Sequence, residues 1–217
     1  MNAKWVCFLF AFFLSFLLVG VAPSTTLDFQ ENQGENLLTY QPRVILTNES
    51  TGEQVEFPVT VNNVTLASQN FLQYDVYIQG SYLKDLSNSD STGGVLATLR
   101  MNYKDKYVGG VRYISINSYS AKWQKTDNTI SITGCNLKPH VFGYDETMAK
   151  FYNQTYTRQI GTPALNTWYS TTPGWSGVYI KLDDFGYQTS ELYSQLSRGG
   201  SVWTLKFCTG VGATDCD

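Results

Sequence analysis

Hydrophobic positions recur at every second residue along much of this chain, the spacing of strands that bury one face. Val95, Ala97, Leu99, Met101 and Tyr103 form the cleanest run, and Leu72, Tyr74, Val76 and Ile78 form another within an extended stretch over 71–83. Residues 43–47 and 55–61 read as two strands of a hairpin joined by the polar turn 48–53. Pro58 has no amide hydrogen for a ladder, so the second of these is an edge strand or restarts after the proline. Gly109-Gly110 marks a bulge or tight turn before the run 111–123, and Thr126-Asp127-Asn128 turns the chain into a strand at 129–133. Further strands are expected at 178–182 and 201–207. The stretch 145–156 is ambiguous. Met148, Phe151, Tyr152 and Tyr156 have helical spacing, while the Thr, Tyr and Asn around them favour strand or loop. Short strands, frequent turn signals and no long helical period predict an all-β fold, an antiparallel β-sandwich.

The N-terminus breaks the pattern. Lys4 precedes an apolar run from Trp5 to Ala22, interrupted by Ser15 and Gly20, the order of charge and apolar core found in secretory signals. At about 18 residues the run also approaches the length of a membrane span. Two readings follow: a signal peptide over 1–24, cleaved after Ser24 with Ala22 and Ser24 as the small residues, or an uncleaved anchor with the domain outside. Residues 25–217 form a single domain, with an internal boundary, if any, at the turn cluster near 87–94. The expected location is secreted and extracellular, or membrane-anchored through the N-terminal segment alone.

Charge narrows the partners. The 217 residues carry a net charge of −3, and removal of 1–24 takes away one charged residue, Lys4. No basic stripe is visible to meet a phosphate backbone, which argues against nucleic acid. Three cysteines lie outside the N-terminal run: Cys135, Cys208 and Cys216. They allow one intramolecular disulfide in an exported protein, and the sequence leaves the pairing open. A zinc site needs about four suitably spaced ligands, which one histidine and scattered cysteines do not supply.

Several short patterns lie within 95–207: Trp123, Asp127 and Ile130-Ser131-Ile132; Pro163, Asn166-Thr167-Trp168 and Gly174-Trp175; and the stretch from Leu196 to Leu205 that contains Arg198-Gly199-Gly200 and Trp203. Over this part the chain resembles a group of small secreted all-β proteins of Gram-positive bacteria. The resemblance implies an exported bacterial β-sandwich and no particular activity. The cysteines are not part of the shared pattern.

Catalytic chemistry is sparse. His140 is the sole histidine, so any Ser/His/Asp arrangement must pass through it. Gly174-Trp175-Ser176-Gly177 lacks the second glycine of a nucleophile elbow, since Val178 stands there, and reads as a turn. Asp183 and Asp184, with Glu191, are the carboxylates that glycoside hydrolysis would require, but adjacent strand residues point to opposite faces. Asn88, Asp90, Thr92 and Gly93 open like a calcium loop, yet Leu99 replaces the closing glutamate. Gly210-Val211-Gly212 lacks the rest of a dinucleotide fingerprint, so no cofactor is expected. Asn48, Asn63 and Asn153 begin glycosylation-type triplets.

Aromatic residues carry the leading expectation. Trp168, Tyr169, Trp175 and Tyr179 lie in Thr/Ser/Gly/Pro-rich chain, where rings that pair an apolar face with a polar tip suit an outward recognition surface. The function expected is a secreted or cell-surface binding or structural module, with cell-wall glycan or another extracellular protein as partner. A glycan hydrolase using carboxylates and a membrane-active toxin are the alternatives, the latter because amphipathic strands such as 95–103 also suit barrel insertion.

Overall fold

A computed structural model describes residues 41–67, 69–83, 93–182 and 185–212. The N-terminal run, the cluster 84–92, Asp183, Asp184 and Cys216 lie outside the described residues. In chain order the strands are β1 (Arg43–Asn48), β2 (Gln54–Phe57), β3 (Thr60–Leu66), β4 (Gln69–Gln79), β5 (Gly94–Val108), β6 (Val111–Lys125) and β7 (Ser131–Tyr144). There follow β8 (Phe151–Thr155), β9 (Arg158–Gly161), β10 (Tyr169–Thr171), β11 (Ile180–Lys181), β12 (Tyr187–Arg198) and β13 (Ser201–Gly212). A single 3-10 turn, Gly80–Leu83, is the one helical element among the described residues. No described helix is long and apolar enough to cross a membrane.

The strands make two antiparallel sheets. The first has the order β2-β1-β13-β12-β7-β8, with β9 also on β7. The second has the order β10-β6-β5-β4-β3, with β11 also on β6. Proline makes the division at the start. β1 and β2 pair as the expected hairpin, β2 ends at Phe57, and after Pro58 the chain resumes at Thr60 on the edge of the other sheet. Two hairpins close on Gly-Gly pairs, Gly109-Gly110 between β5 and β6 and Gly199-Gly200 between β12 and β13. All four glycines have positive φ, the conformation a two-residue hairpin turn requires and side chains resist.

One core lies between the sheets. Leu72, Tyr74, Val76 and Ile78 of β4 and Val95, Ala97, Leu99 and Met101 of β5 are buried against Leu192, Leu196, Trp203, Leu205 and Phe207 of the first sheet. Polar groups inside this core bond across it. Trp123 Nε1 donates to Ser194 Oγ at 2.9 Å. Gln188, fully buried, donates from Nε2 to the Ile114 carbonyl at 3.0 Å and accepts the Ile116 amide at 3.3 Å. Arg198 clamps the end of the core, bonding the Gly80 carbonyl, Thr129 Oγ1 and the Asp127 carboxylate, the last at 2.7 Å.

Some strands differ from their sequence expectation. The strand expected at 129–133 runs on to Tyr144, because an irregularity opposite Ser194 absorbs one residue at Gly134 and restores the inward face at Cys135. At 178–182 just Ile180 and Lys181 are paired. The ambiguous stretch divides into a turn and then β8. Asp145 Oδ1 accepts the amides of Thr147, Ala149 and Lys150, a local bonding pattern that competes with helix. These bonds, led by the Thr147 hydroxyl, hold the exposed Asp145 carboxyl below its ordinary pKa.

Candidate functional site

The four aromatic residues singled out by the sequence do not form one surface. Trp175 is 3% exposed and packs with Val141, Tyr152 and Ile180 in a small second core. It is therefore a packing residue, and its expected place on an outward surface is corrected: the turn at 173–178 folds the ring inward. Tyr169 pairs opposite Ala121, whose side faces the core, and its ring meets Trp123 edge-on at 6.0 Å. Its hydroxyl accepts the Ala164 amide at 2.7 Å. Tyr179 lies elsewhere, under the Lys106 ammonium at 4.1 Å.

Trp168 lies against the side chains of Arg100 and Lys122 on the outer face of the second sheet. Alternation along β10 places it opposite in sense to the inward Tyr169. The Arg100 guanidinium of β5 is 4.1 Å from the Trp168 ring centroid and the Lys122 ammonium of β6 is 4.8 Å away. The connection that carries it is pinned to β6, because the Asn166 amide donates to the Trp123 carbonyl and Gln124 Nε2 donates to Asn166 Oδ1, both at 2.9 Å. Of the four described tryptophans, Trp123, Trp175 and Trp203 are buried and Trp168 is half-buried.

Polar side chains continue this face in rungs. Phe71, Asn102 and Ser118 stand level on β4, β5 and β6, and Gln73, Arg100 and Ser120 form the next rung. Asp75 accepts Gln73 Nε2 and Thr98 Oγ1, each at 2.6 Å, and Gln73 Oε1 in turn accepts Arg100 Nε at 2.5 Å. Partial burial pulls Arg100 below its ordinary pKa, opposed by the charge of Asp75. Beside Phe71 and Asn102 the face opens into a groove of about 490 Å³ whose lining includes Gln69, Asn70, Asn102, Asn117, Ser118 and Lys104. Asn102 Oδ1 accepts Asn117 Nδ2 at 3.0 Å, which fixes two of these amides.

A feature the sequence reading did not single out lies on the outer face of the first sheet. Phe142 and Tyr187 stack at 5.1 Å, and Phe151 meets Phe142 at 4.9 Å and Tyr144 at 5.0 Å. Phe142, Tyr144 and Phe151, with Met148 and Phe185, line an apolar groove of about 450 Å³. The signal was present as His140, Phe142 and Tyr144 at two-residue spacing in β7, but the strand had been expected to stop at 133.

The remaining candidates are placed as follows. His140 Nε2 lies 3.2 Å from Asn153 Oδ1 and its ring meets Tyr187 edge-on, with no serine hydroxyl bonded to it among the described residues. Ser176 Oγ donates to the Asn117 carbonyl at 2.7 Å within the expected turn. Glu191 accepts the Tyr193 hydroxyl at 2.8 Å and lies 3.5 Å from Lys138 Nζ, and Asp183 and Asp184 are outside the described residues. Among the described residues no three His, Cys, Asp or Glu side chains converge on a metal position. Cys135 is a buried free thiol, held by burial at a pKa of about 11. Cys208 is disulfide-bonded to a partner outside the described residues. A Cys135–Cys208 bridge is ruled out because β12 lies between their strands: two strand spacings are roughly 9.5 Å, beyond the reach of a disulfide. No protein-family model matches this chain, and no curated protein matches it.

Proposed function

We propose that the chain is an exported β-sandwich that binds glycan on the outer face of its second sheet, with Trp168 as the stacking platform. The observation that carries this reading is the half-buried Trp168 ring resting on Arg100 and Lys122 beside a groove lined by amides and hydroxyls. Both cations belong to the sheet, on neighbouring strands β5 and β6, and the half-buried ring keeps part of its surface open to a ligand. Sugars present apolar C–H faces and rings of hydroxyls, so a fixed indole and fixed Asn, Gln and Ser groups suit them together. Existing bonds among Gln73, Asp75, Thr98 and Arg100 hold the polar groups in place and reduce the ordering cost of binding. The face is to be tested by retention on insoluble glycans and purified cell wall. Wild type is expected to be retained and folded Trp168→Ala protein to wash through.

A second reading, contact with another extracellular protein, is favoured by the aromatic groove around Phe142 and Phe151. Export itself rests on Lys4 and the apolar run from Trp5 to Ala22. An intact mass beginning near Thr25 is expected for the secreted form, and full-length chain in membranes would establish the anchor instead.

A further inference from the structure

The outer face of the second sheet gathers basic side chains around Trp168. The protein as a whole is acidic, at −3, yet Arg100 and Lys122 meet beneath one ring and Lys104 lines the adjoining groove. Five other basic side chains are matched with carboxylates, Arg43 with Glu56, Lys106 with Glu146, Arg112 with Asp105, Lys138 with Glu191 and Arg198 with Asp127, whereas Lys125 bonds the Ile130 carbonyl and Lys150 and Arg158 lie singly over tyrosine rings. What sets Arg100 and Lys122 apart is that two cations share one indole, with no ion pair among the described residues. The carboxylate that acts electrostatically on Arg100 is Asp75, and both its oxygens already accept hydrogen bonds from Gln73 and Thr98. Arg100 uses Nε on Gln73 and keeps the guanidinium edge beyond it for a ligand.

We infer that the ligand of this face is an acidic glycan, whose carboxylate, sulfate or phosphate groups are read by Arg100 and Lys122 at the rim of Trp168. The inference rests on the glycan-binding reading of the same face. A neutral sugar would need the indole and the amides but would leave two adjacent cations without a counter-charge. An anionic group at the ring edge supplies that charge. Guanidinium offers it a planar pair of donors and ammonium a point charge. The remaining negative charge of the protein then discriminates against acidic polymers that bring no sugar ring to Trp168.

The test uses the full chain on immobilised glycans paired by the presence or removal of one kind of anionic group. The pairs are polygalacturonate with its methyl ester, hyaluronan with its carboxyl-reduced form, heparin with its desulfated form, and bacterial cell wall before and after removal of its phosphate-bearing polymers. The expected result is retention on at least one member that carries the anionic group and loss on the partner from which that group has been removed, with retention weakened between low and high salt. Which pair responds distinguishes carboxylate, sulfate and phosphate. Lys122→Gln should lower affinity for that member roughly tenfold, as expected for a lost charge-assisted hydrogen bond, and Lys122→Arg should restore much of it. Arg100→Gln should act in the same direction, while Trp168→Ala should abolish retention. Equal retention on both members of every pair, with Lys122→Gln like wild type, overturns the acidic-ligand inference and leaves the glycan reading standing. Retention on no member of any pair overturns both.

Discussion

Replacing Trp168 and Trp175 by alanine, one at a time, separates a packing tryptophan from a surface one on the same short stretch of chain. Trp175 is 3% exposed and enclosed by Val141, Tyr152, Ile180 and Val178. Truncating such a ring removes its buried area and leaves a cavity, a loss of about 3–5 kcal/mol. Trp168 is half-buried and rests on Arg100 and Lys122, contacts worth about 0.5–1 kcal/mol each at an exposed site. Its removal should therefore cost about 1–2 kcal/mol. For a domain of this size 1 kcal/mol corresponds to about 2–4 °C in Tm. The expected drops are thus roughly 6–20 °C for Trp175→Ala and 2–8 °C for Trp168→Ala. Thermal unfolding followed by circular dichroism measures both drops, and urea unfolding with m compared across the variants measures the underlying free energies. Equal and large losses for the two would refute the placement of Trp168 on the surface.

Two further outcomes follow from the core. Burial raises the phenol of Tyr74 to about 12 and the thiol of Cys135 to about 11, and Tyr193, beside Glu191, is raised to about 12. Their protonated forms favour the folded state, so this stability is complete below the unfolded-state values of 9 to 10 and is lost as pH rises towards 12. Denaturant midpoints measured from pH 8 to 12 should fall through that window, and a flat profile would contradict the burial of these groups. Arg198→Ala removes the clamp on Gly80, Thr129 and Asp127 and leaves a partner carboxylate in a confined site, which should cost about 3–5 kcal/mol by urea unfolding; a loss under 1 kcal/mol would contradict the clamp.

The sequence made the second sheet legible and the first less so, for a physical reason. In β4 and β5 nearly every inward residue is apolar, so the two-residue period is plain in Leu72 to Ile78 and in Val95 to Met101. β12 was not anticipated at all, because its inward face carries Gln188, Ser190, Ser194 and Arg198 among the leucines. The polarity of Gln188, Ser194 and Arg198 is met by partners across the core, such as Trp123 for Ser194, and a linear pattern does not reveal such partners. The same limit applied to the site. Ring-rich chain around 168–179 marked a region of interest, but which ring faces out depends on pairing with β6 and on the turn at 173–178. Arg100 and Lys122 gave no signal, since 22 residues separate two cations that strand pairing brings under one indole.

In the proposed binding mode, ligand meets the chain at Trp168. Indole resonances of protein labelled with 15N-tryptophan, assigned with Trp168→Phe, report each ring separately during titration with whichever glycan retains the protein. The account predicts that the Trp168 Nε1–H resonance moves and saturates, while those of buried Trp123, Trp175 and Trp203 stay in place. Bound glycan with an unmoved Trp168 resonance would contradict it.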